Sequence, residues 1–199
     1  MTTNDAAGPS ERTPPGAISL RRATPADATL VLGWRDEPST GQYMPNLRRT
    51  PEEVAARLAE RAAPAVDPTL SGTVQWIVEA GGEPVGWVRF TVTDRESAVG
   101  EVGYTIGERD RGRGYATAAV RETLAIAFSA TGADVARVEA VAAVGNGASR
   151  RVLERSGFRF EGVARGLLVI GGERVDHARY GVLRGEWTAE GMGRGVSAG

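Results

Sequence analysis

The chain contains no cysteine, no lysine and a single histidine, His177, among 199 residues. Without thiols it forms no disulfide, no thiolate nucleophile, no iron-sulfur cluster and no Cys/His zinc site. Without lysine there is no Schiff base to pyridoxal phosphate or a carbonyl substrate, and no P-loop, whose lysine reaches the terminal phosphates. All 24 basic residues are therefore arginine, and a Ser-His-Asp hydrolase would rest on His177 alone. A charge surplus is missing too: 25 acidic residues leave a formal net charge of −1, without the basic excess usual in a general nucleic-acid binder. No apolar run approaches the roughly 18 residues of a membrane helix, and the start lacks the basic-then-apolar layout of a signal peptide. These absences predict a cytoplasmic protein with no membrane partner, no nucleic-acid partner and no metal.

What is present suits one globular domain: 41% hydrophobic and 25% charged residues, in a chain long enough to bury roughly 70% of its unfolded surface. Residues 1–16, rich in Thr, Pro, Ala and Gly, are expected to form a disordered leader, and 188–199 a disordered tail, around a domain over 17–187. Ile18 and Leu20 open a short strand. Thr24-Pro25-Ala26-Asp27 then starts a helix reaching about Trp34 or Arg35, with Thr as N-cap and Pro at the first helical position. Thr50-Pro51-Glu52-Glu53 repeats the signal as a fuller capping box, with Val54 and Leu58 as its apolar stripe. A β meander follows over Thr73–Ala80, a Gly81-Gly82 turn, Pro84–Thr93 and Glu101–Ile106. A long helix is predicted from about Tyr115 to Ala130, ended by Gly132. Beyond it come a strand over Val135–Val144, a helix over Ala148–Ser156, and strands over Phe158–Val163, Leu167–Ile170 and Val175–Leu183. Interleaved strands and helices mean an α/β or α+β fold, a mixed sheet with helices on its faces.

Arg111-Gly112-Arg113-Gly114-Tyr115-Ala116 carries the most chemistry, because it lies between a strand and an amphipathic helix. The first turn of a helix has N–H groups without carbonyl partners, and the helix dipole adds partial positive charge, so a Gly-rich entry there makes a phosphate cradle. Gly112 and Gly114 let the backbone come close to a ligand, while Arg111 and Arg113 add charge. An RNA-binding Arg/Gly tract would be repeated, whereas this string is single and sits inside a packed pattern.

These residues resemble a known family. Arg111-x-x-Gly114-x-Ala116 is similar to the Arg/Gln-x-x-Gly-x-Gly/Ala signature of GNAT N-acetyltransferases. The preceding Glu101-Val102-Gly103-Tyr104-Thr105-Ile106, Asn146-Gly147-Ala148-Ser149, and Val152 to Phe158 resemble the RimJ/RimL-like branch, which acetylates ribosomal proteins. The opening Leu20-Arg21 to Asp36 and the closing Asp176-His177 to Trp187 fit too, so the likeness spans nearly all of 18–187. It implies the GNAT fold: a twisted, mostly antiparallel mixed sheet, helices on both faces, and a splayed parallel pair formed by Glu101–Ile106 and Val135–Val144. It implies acetyl-CoA as co-substrate, with its pyrophosphate on the Arg111–Ala116 turn. Main-chain groups of Tyr104, Thr105 and Ile106 would meet the pantetheine arm and acetyl carbonyl, and Gly103 would suit the family's strand bulge or be simply tolerated.

The reaction implied is direct transfer of acetyl to an uncharged primary amine, on a small molecule, antibiotic, amino acid, or peptide or protein N-terminus. With no Cys or Lys, a covalent acetyl-enzyme on those side chains is unavailable. Where many relatives carry a Tyr as thiolate acid, this chain has Leu153. Ser149 matches the serine proposed for that role in the RimL-like branch; it is equally a candidate helix cap. Asn146 caps the same helix, touches pantetheine, or both. Glu101 is the candidate base, a carboxylate partly shielded from water, or else a strand-face glutamate ion-paired with an arginine. Asp176 and His177 are further candidates. Trp34 to Asn46, with Asp36, Glu37, Tyr43 and Met44, fall where the family lines its acceptor cleft, making Trp34, Asp36 and Tyr43 substrate-binding candidates, although Trp34, Trp76 and Trp87 also read as core. Acidic groups there would favour a cationic amine. Dimers are common in the family, so a homodimer is a further expectation. Two other classes remain open: a catalytically silent acyl-CoA-binding module and an Arg-based nucleic-acid binder.

Overall fold

The structure is a computed structural model and describes residues 17–45, 48–62 and 72–188. The expected leader over 1–16, the tail beyond Thr188, and Asn46 lie outside the described residues. In chain order the elements are β1 (Ser19–Arg22), α1 (Ala28–Asp36), α2 (Pro38–Gly41), α3 (Pro51–Arg61), β2 (Thr73–Ala80), β3 (Glu83–Asp94), β4 (Val99–Ile106), α4 (Tyr115–Phe128), β5 (Arg137–Ala143), α5 (Gly147–Arg155), β6 (Arg159–Ile170) and β7 (Glu173–Leu183).

Helix starts follow their capping chemistry. Ahead of α1, a 3-10 turn over Pro25–Asp27 is closed by Asp27, whose Oδ2 accepts from the Thr24 N–H at 2.7 Å. At α3, Thr50 Oγ1 accepts from Glu53 N–H at 3.3 Å while the Glu53 carboxylate accepts from Thr50 N–H at 3.0 Å, the reciprocal pair that satisfies two orphan donors. Val54 and Leu58 are buried, as their spacing requires.

The seven strands form one sheet in the order β1-β2-β3-β4-β5-β7-β6, antiparallel at every junction except β4 with β5. Strand alternation splits the core in two. Val88, Phe90, Val102 and Ile106 pack with Val120 and Leu124 of α4 on one face. Ile77 and Trp87 pack with Val31, Trp34, Val54 and Leu58 of α1 and α3 on the other. Burying each of these large side chains stabilises the fold by about 1.5–3 kcal/mol before chain entropy is counted.

Three local expectations change. Phe158–Val163 and Leu167–Ile170, read as two strands, belong to the single strand β6, whose register with β7 shifts between Ala164 and Leu168. There Gly166, with φ +58°, turns its N–H onto Asp176 Oδ1 at 2.7 Å, so the backbone is diverted without ending the strand. Gly103 carries no bulge: β3 and β4 pair in regular register from Gly86–Ile106 to Val92–Gly100, and the irregularity sits between Val92 and Asp94. Finally, α4 ends at Phe128, ahead of Gly132, which packs against the Ile126 carbonyl.

Candidate active site

β4 and β5 pair in parallel only at Val99–Arg137, Gly100–Val138 and Glu101–Glu139, although β4 continues to Ile106 and β5 to Ala143. Beyond Glu101 the strands part. Because Gly107 N–H donates to Val85 O, the alternation of an antiparallel ladder aims the main-chain groups of Gly103 and Thr105 at β3. Those of Tyr104 and Ile106 therefore point into the gap that β5 has left.

The Gly-rich turn lies at the end of this gap. Gly112 and Gly114 have φ of +79° and +85°, backbone that side-chain-bearing residues rarely adopt, and Gly114 is the N-cap of α4. The cap supplies no side-chain bond, so the N–H groups of Tyr115, Ala116 and Thr117 lack helical partners. A Cβ at Gly112 would meet nothing within 4 Å, so the turn stands open. Geometry and dipole together suit a diphosphate.

The two arginines of the turn divide their roles. Arg113 is exposed, its closest carboxylate that of Asp110 at 3.6 Å. Arg111, expected to lend charge to a phosphate, is engaged by protein instead. Its Nε donates to Ile106 O at 2.9 Å, Nη1 to Ser39 Oγ at 2.6 Å, and Nη2 to Thr40 Oγ1 at 2.9 Å and Glu37 Oε2 at 3.2 Å. Four of five guanidinium N–H groups are thereby used. Glu37 also accepts from Glu108 N–H at 3.0 Å, so α2 is strapped to the turn. The same segment reaches both lips of the gap: Thr105 Oγ1 donates to Met44 Sδ at 3.6 Å on β4, and Tyr43 Oη donates to Gly145 O at 3.4 Å just beyond β5.

On the α4 side of the sheet, Asn146 Oδ1 accepts from Ser149 N–H at 3.0 Å, which makes Asn146 the N-cap of α5 and leaves the Ser149 hydroxyl for other work. That hydroxyl lies 2.9 Å from Tyr104 Oη, which also reaches Ser149 O at 3.1 Å. Burial pushes the Tyr104 hydroxyl well above the usual tyrosine range, so it keeps its proton. Only main-chain roles were expected of Tyr104; strand alternation opposite Glu101 was the signal for its side chain. Leu153, where many relatives carry a tyrosine, is fully buried.

Glu101 lies on the opposite face, paired with Arg89 at 3.5 Å and with 42% of its side chain exposed, less shielded than a general base was expected to be. The Arg89 guanidinium lies over Gly103, where a Cβ would stand 3.5 Å from Nη2, at the point where the strands part. Trp34, a candidate for binding substrate, is 8% exposed in the core beneath Gly107. Asp36 is exposed, on the wall of a cavity of about 620 Å³ bounded also by Arg35, Glu37, Arg48, Arg49 and Gly171. Both carboxylates expected to favour a cationic amine line this cavity, but Glu37 is tied to Arg111 and Asp36 shares the wall with Arg35, Arg48 and Arg49. His177 is buried, its Nδ1 bonded to Val175 O at 2.9 Å, and Asp176 is spent on Gly166. Among the described residues no group of His, Asp and Glu is arranged to hold a metal ion, and no helix is long and apolar enough to cross a membrane.

Comparison with known proteins agrees with this geometry. Residues 18–159 match the acetyltransferase (GNAT) domain family. The chain is 38% identical to the putative ribosomal N-acetyltransferase YdaF of Bacillus subtilis over 117 residues, 57% of this chain and 63% of that protein, so the match spans less than two thirds of that relative. It is 26% identical to the uncharacterized N-acetyltransferase p20 of Bacillus licheniformis, covering 85% of this chain and 94% of that one. The structure of Mycobacterium smegmatis RimJ in complex with CoA-disulfide superposes with a TM-score of 0.73 at 26% identity, covering 86% of this chain and 84% of RimJ. With its parted strand pair, open helix N-terminus and these relatives, the chain belongs to the GNAT family of acetyltransferases, on the RimJ/RimL-like branch.

Proposed function

We propose that the protein transfers an acetyl group from acetyl-CoA to a primary amine by direct attack in a ternary complex. The observation that carries this reading is the gap beyond Glu101, into which Tyr104 and Ile106 aim main-chain groups beside the open N-terminus of α4. Acetyl-CoA supplies an activated thioester; the chain supplies the rest. First-turn N–H groups of α4, with Gly112 and Gly114, receive the diphosphate, and Arg113 adds charge. Arg111 is a positioning residue that fixes the α2 strap against the turn. Main-chain groups of Tyr104 and Ile106 extend the sheet toward the pantetheine and hold the acetyl carbonyl, where an N–H stabilises the developing oxyanion.

The amine nitrogen attacks the carbonyl carbon, the C–N bond forms and the C–S bond breaks. The proton lost by the amine passes to the Glu101 carboxylate, directly or through water. The departing thiolate takes a proton from the Ser149 hydroxyl, which Tyr104 Oη orients at 2.9 Å while keeping its own proton; solvent then returns a proton to Ser149 and accepts the one held by Glu101. Acid and base thus act from opposite faces of the sheet, with the thioester between them.

Two measurements test this. Acetyl-CoA at a hundredfold excess over its dissociation constant should stabilise the fold by about 2.7 kcal/mol in thermal melting, whereas an oligonucleotide should not. Thiol release from acetyl-CoA across a panel of amines should then show turnover. Stabilisation without turnover on any amine would leave an acyl-CoA-binding module; stabilisation by the oligonucleotide alone would sink both readings.

A further inference from the structure

The wall facing the base side of the gap carries several arginines that, Arg89 apart, have no carboxylate partner among the described residues. Arg61 of α3 donates to Gln75 Oε1 on β2 at 2.7 Å, Gln75 pairs with Arg89 on β3, and Arg89 lies over Gly103 on β4. This polar row runs across the sheet from α3 to the gap. Arg35 and Arg49 join it from the cavity side, and Met44, which lines a small adjacent pocket with those two arginines, accepts from Thr105 Oγ1 of β4. Among the described residues, Arg35, Arg49, Arg57 and Arg61 have no carboxylate within 4 Å, and Arg89 has only Glu101 at 3.5 Å. Asp36 offsets part of the charge on Arg35, and Glu53 part of that on Arg49. Each remains below the usual arginine range, chiefly through burial and then through its arginine neighbours. Arg61 is pulled down to about 10 by burial, then by Arg89, Arg57 and Arg49. Like charges gathered in a half-buried site disfavour one another until an anion joins them, and guanidinium is the side chain best matched to carboxylate and phosphate.

We infer that the acceptor amine carries an anionic group of its own, a carboxylate or a phosphate, which Arg35, Arg49, Arg61 and Arg89 hold while its nitrogen enters the gap beside Glu101. This rests on the acetyl-transfer reading and narrows its acceptor. The wall repels polyamines and welcomes acidic ones, and Arg89 serves both ends, touching Glu101 and heading the arginine row.

The test is steady-state thiol release with matched pairs compared at equal free-amine concentration: β-alanine with β-alaninamide, alanyl-aspartate with alanyl-asparagine amide, and O-phosphoethanolamine with ethanolamine, with spermidine as the polycation. The anionic member should lead its partner by at least about tenfold in kcat/KM, and which pair leads tells carboxylate from phosphate. Arg49→Gln and Arg89→Gln should each raise KM for that acceptor about tenfold or more, with KM for acetyl-CoA unchanged. Neutral amides or spermidine turning over as well as the acids would overturn the inference and leave the transferase reading intact. No turnover with amines of any charge would overturn that reading, and the inference with it.

Discussion

The Ser149 hydroxyl is free to act because its helix is capped by another residue: Asn146 takes the Ser149 N–H, and the side chain keeps Tyr104 as its partner. Ser149→Ala should therefore leave α5 intact and lower kcat about a hundredfold or more, the lower end of what a positioned general acid contributes. KM for acetyl-CoA should not change. Tyr104→Phe keeps the packing, removes the hydroxyl that orients Ser149 Oγ, and should lower kcat in the same direction. Wild-type turnover in Ser149→Ala would remove Ser149 from the chemistry. At this scale residue types were legible and partners were not. Sequence marked Ser149, Glu101 and Arg111 as polar groups in suggestive places. That Arg111 is spent on Ser39, Thr40 and Glu37 follows from α2 folding back across some seventy residues of chain, a contact no local pattern encodes.

Among the elements, the entry to α4 tests the cradle. Gly114 sits at φ +85°, so Gly114→Val forces a β-branched residue into the left-handed region and crowds the N–H groups beside it. Affinity for CoA, read by calorimetry, should fall more than about tenfold; unchanged affinity would mean that the diphosphate lies elsewhere. Helix starts were readable because caps are local chemistry: Thr50 and Glu53 satisfy each other within three residues. Strand ends were less so. Gly166 looks like a break between two strands, yet Asp176 on the neighbouring strand captures its N–H and the ladder resumes.

For the whole molecule, the edge strand β1 is tied down by charge. Arg21 donates to both Asp27 oxygens, at 3.1 and 3.0 Å, and to Glu79 at 2.8 Å, joining β1 to the start of α1 and to β2. Burial pushes the Asp27 carboxyl up, but Arg21 and the Thr24 bonds outweigh it and hold the group below its ordinary value of 3.8. A carboxyl depressed in the folded state contributes stability that is present above its unfolded pKa and lost as pH falls through the folded one. Urea unfolding should therefore show wild-type stability declining from about pH 5 to below pH 4. Asp27→Asn should cost about 1–3 kcal/mol at pH 7 and flatten that decline. Parallel pH profiles for the two proteins would show that the pair contributes nothing to acid sensitivity.

Composition and local pattern by themselves determined the chemistry excluded, the helix starts, most strands and the Gly-rich entry to α4, because each depends on residues within a turn or two of one another. Tertiary structure decided where the strands part, that Arg111 is tied to α2 while Arg89 lies over Gly103 beside Glu101, and that Tyr104 meets Ser149. Those outcomes depend on distances between segments far apart in the chain, and electrostatic energy follows distance in space rather than separation in sequence.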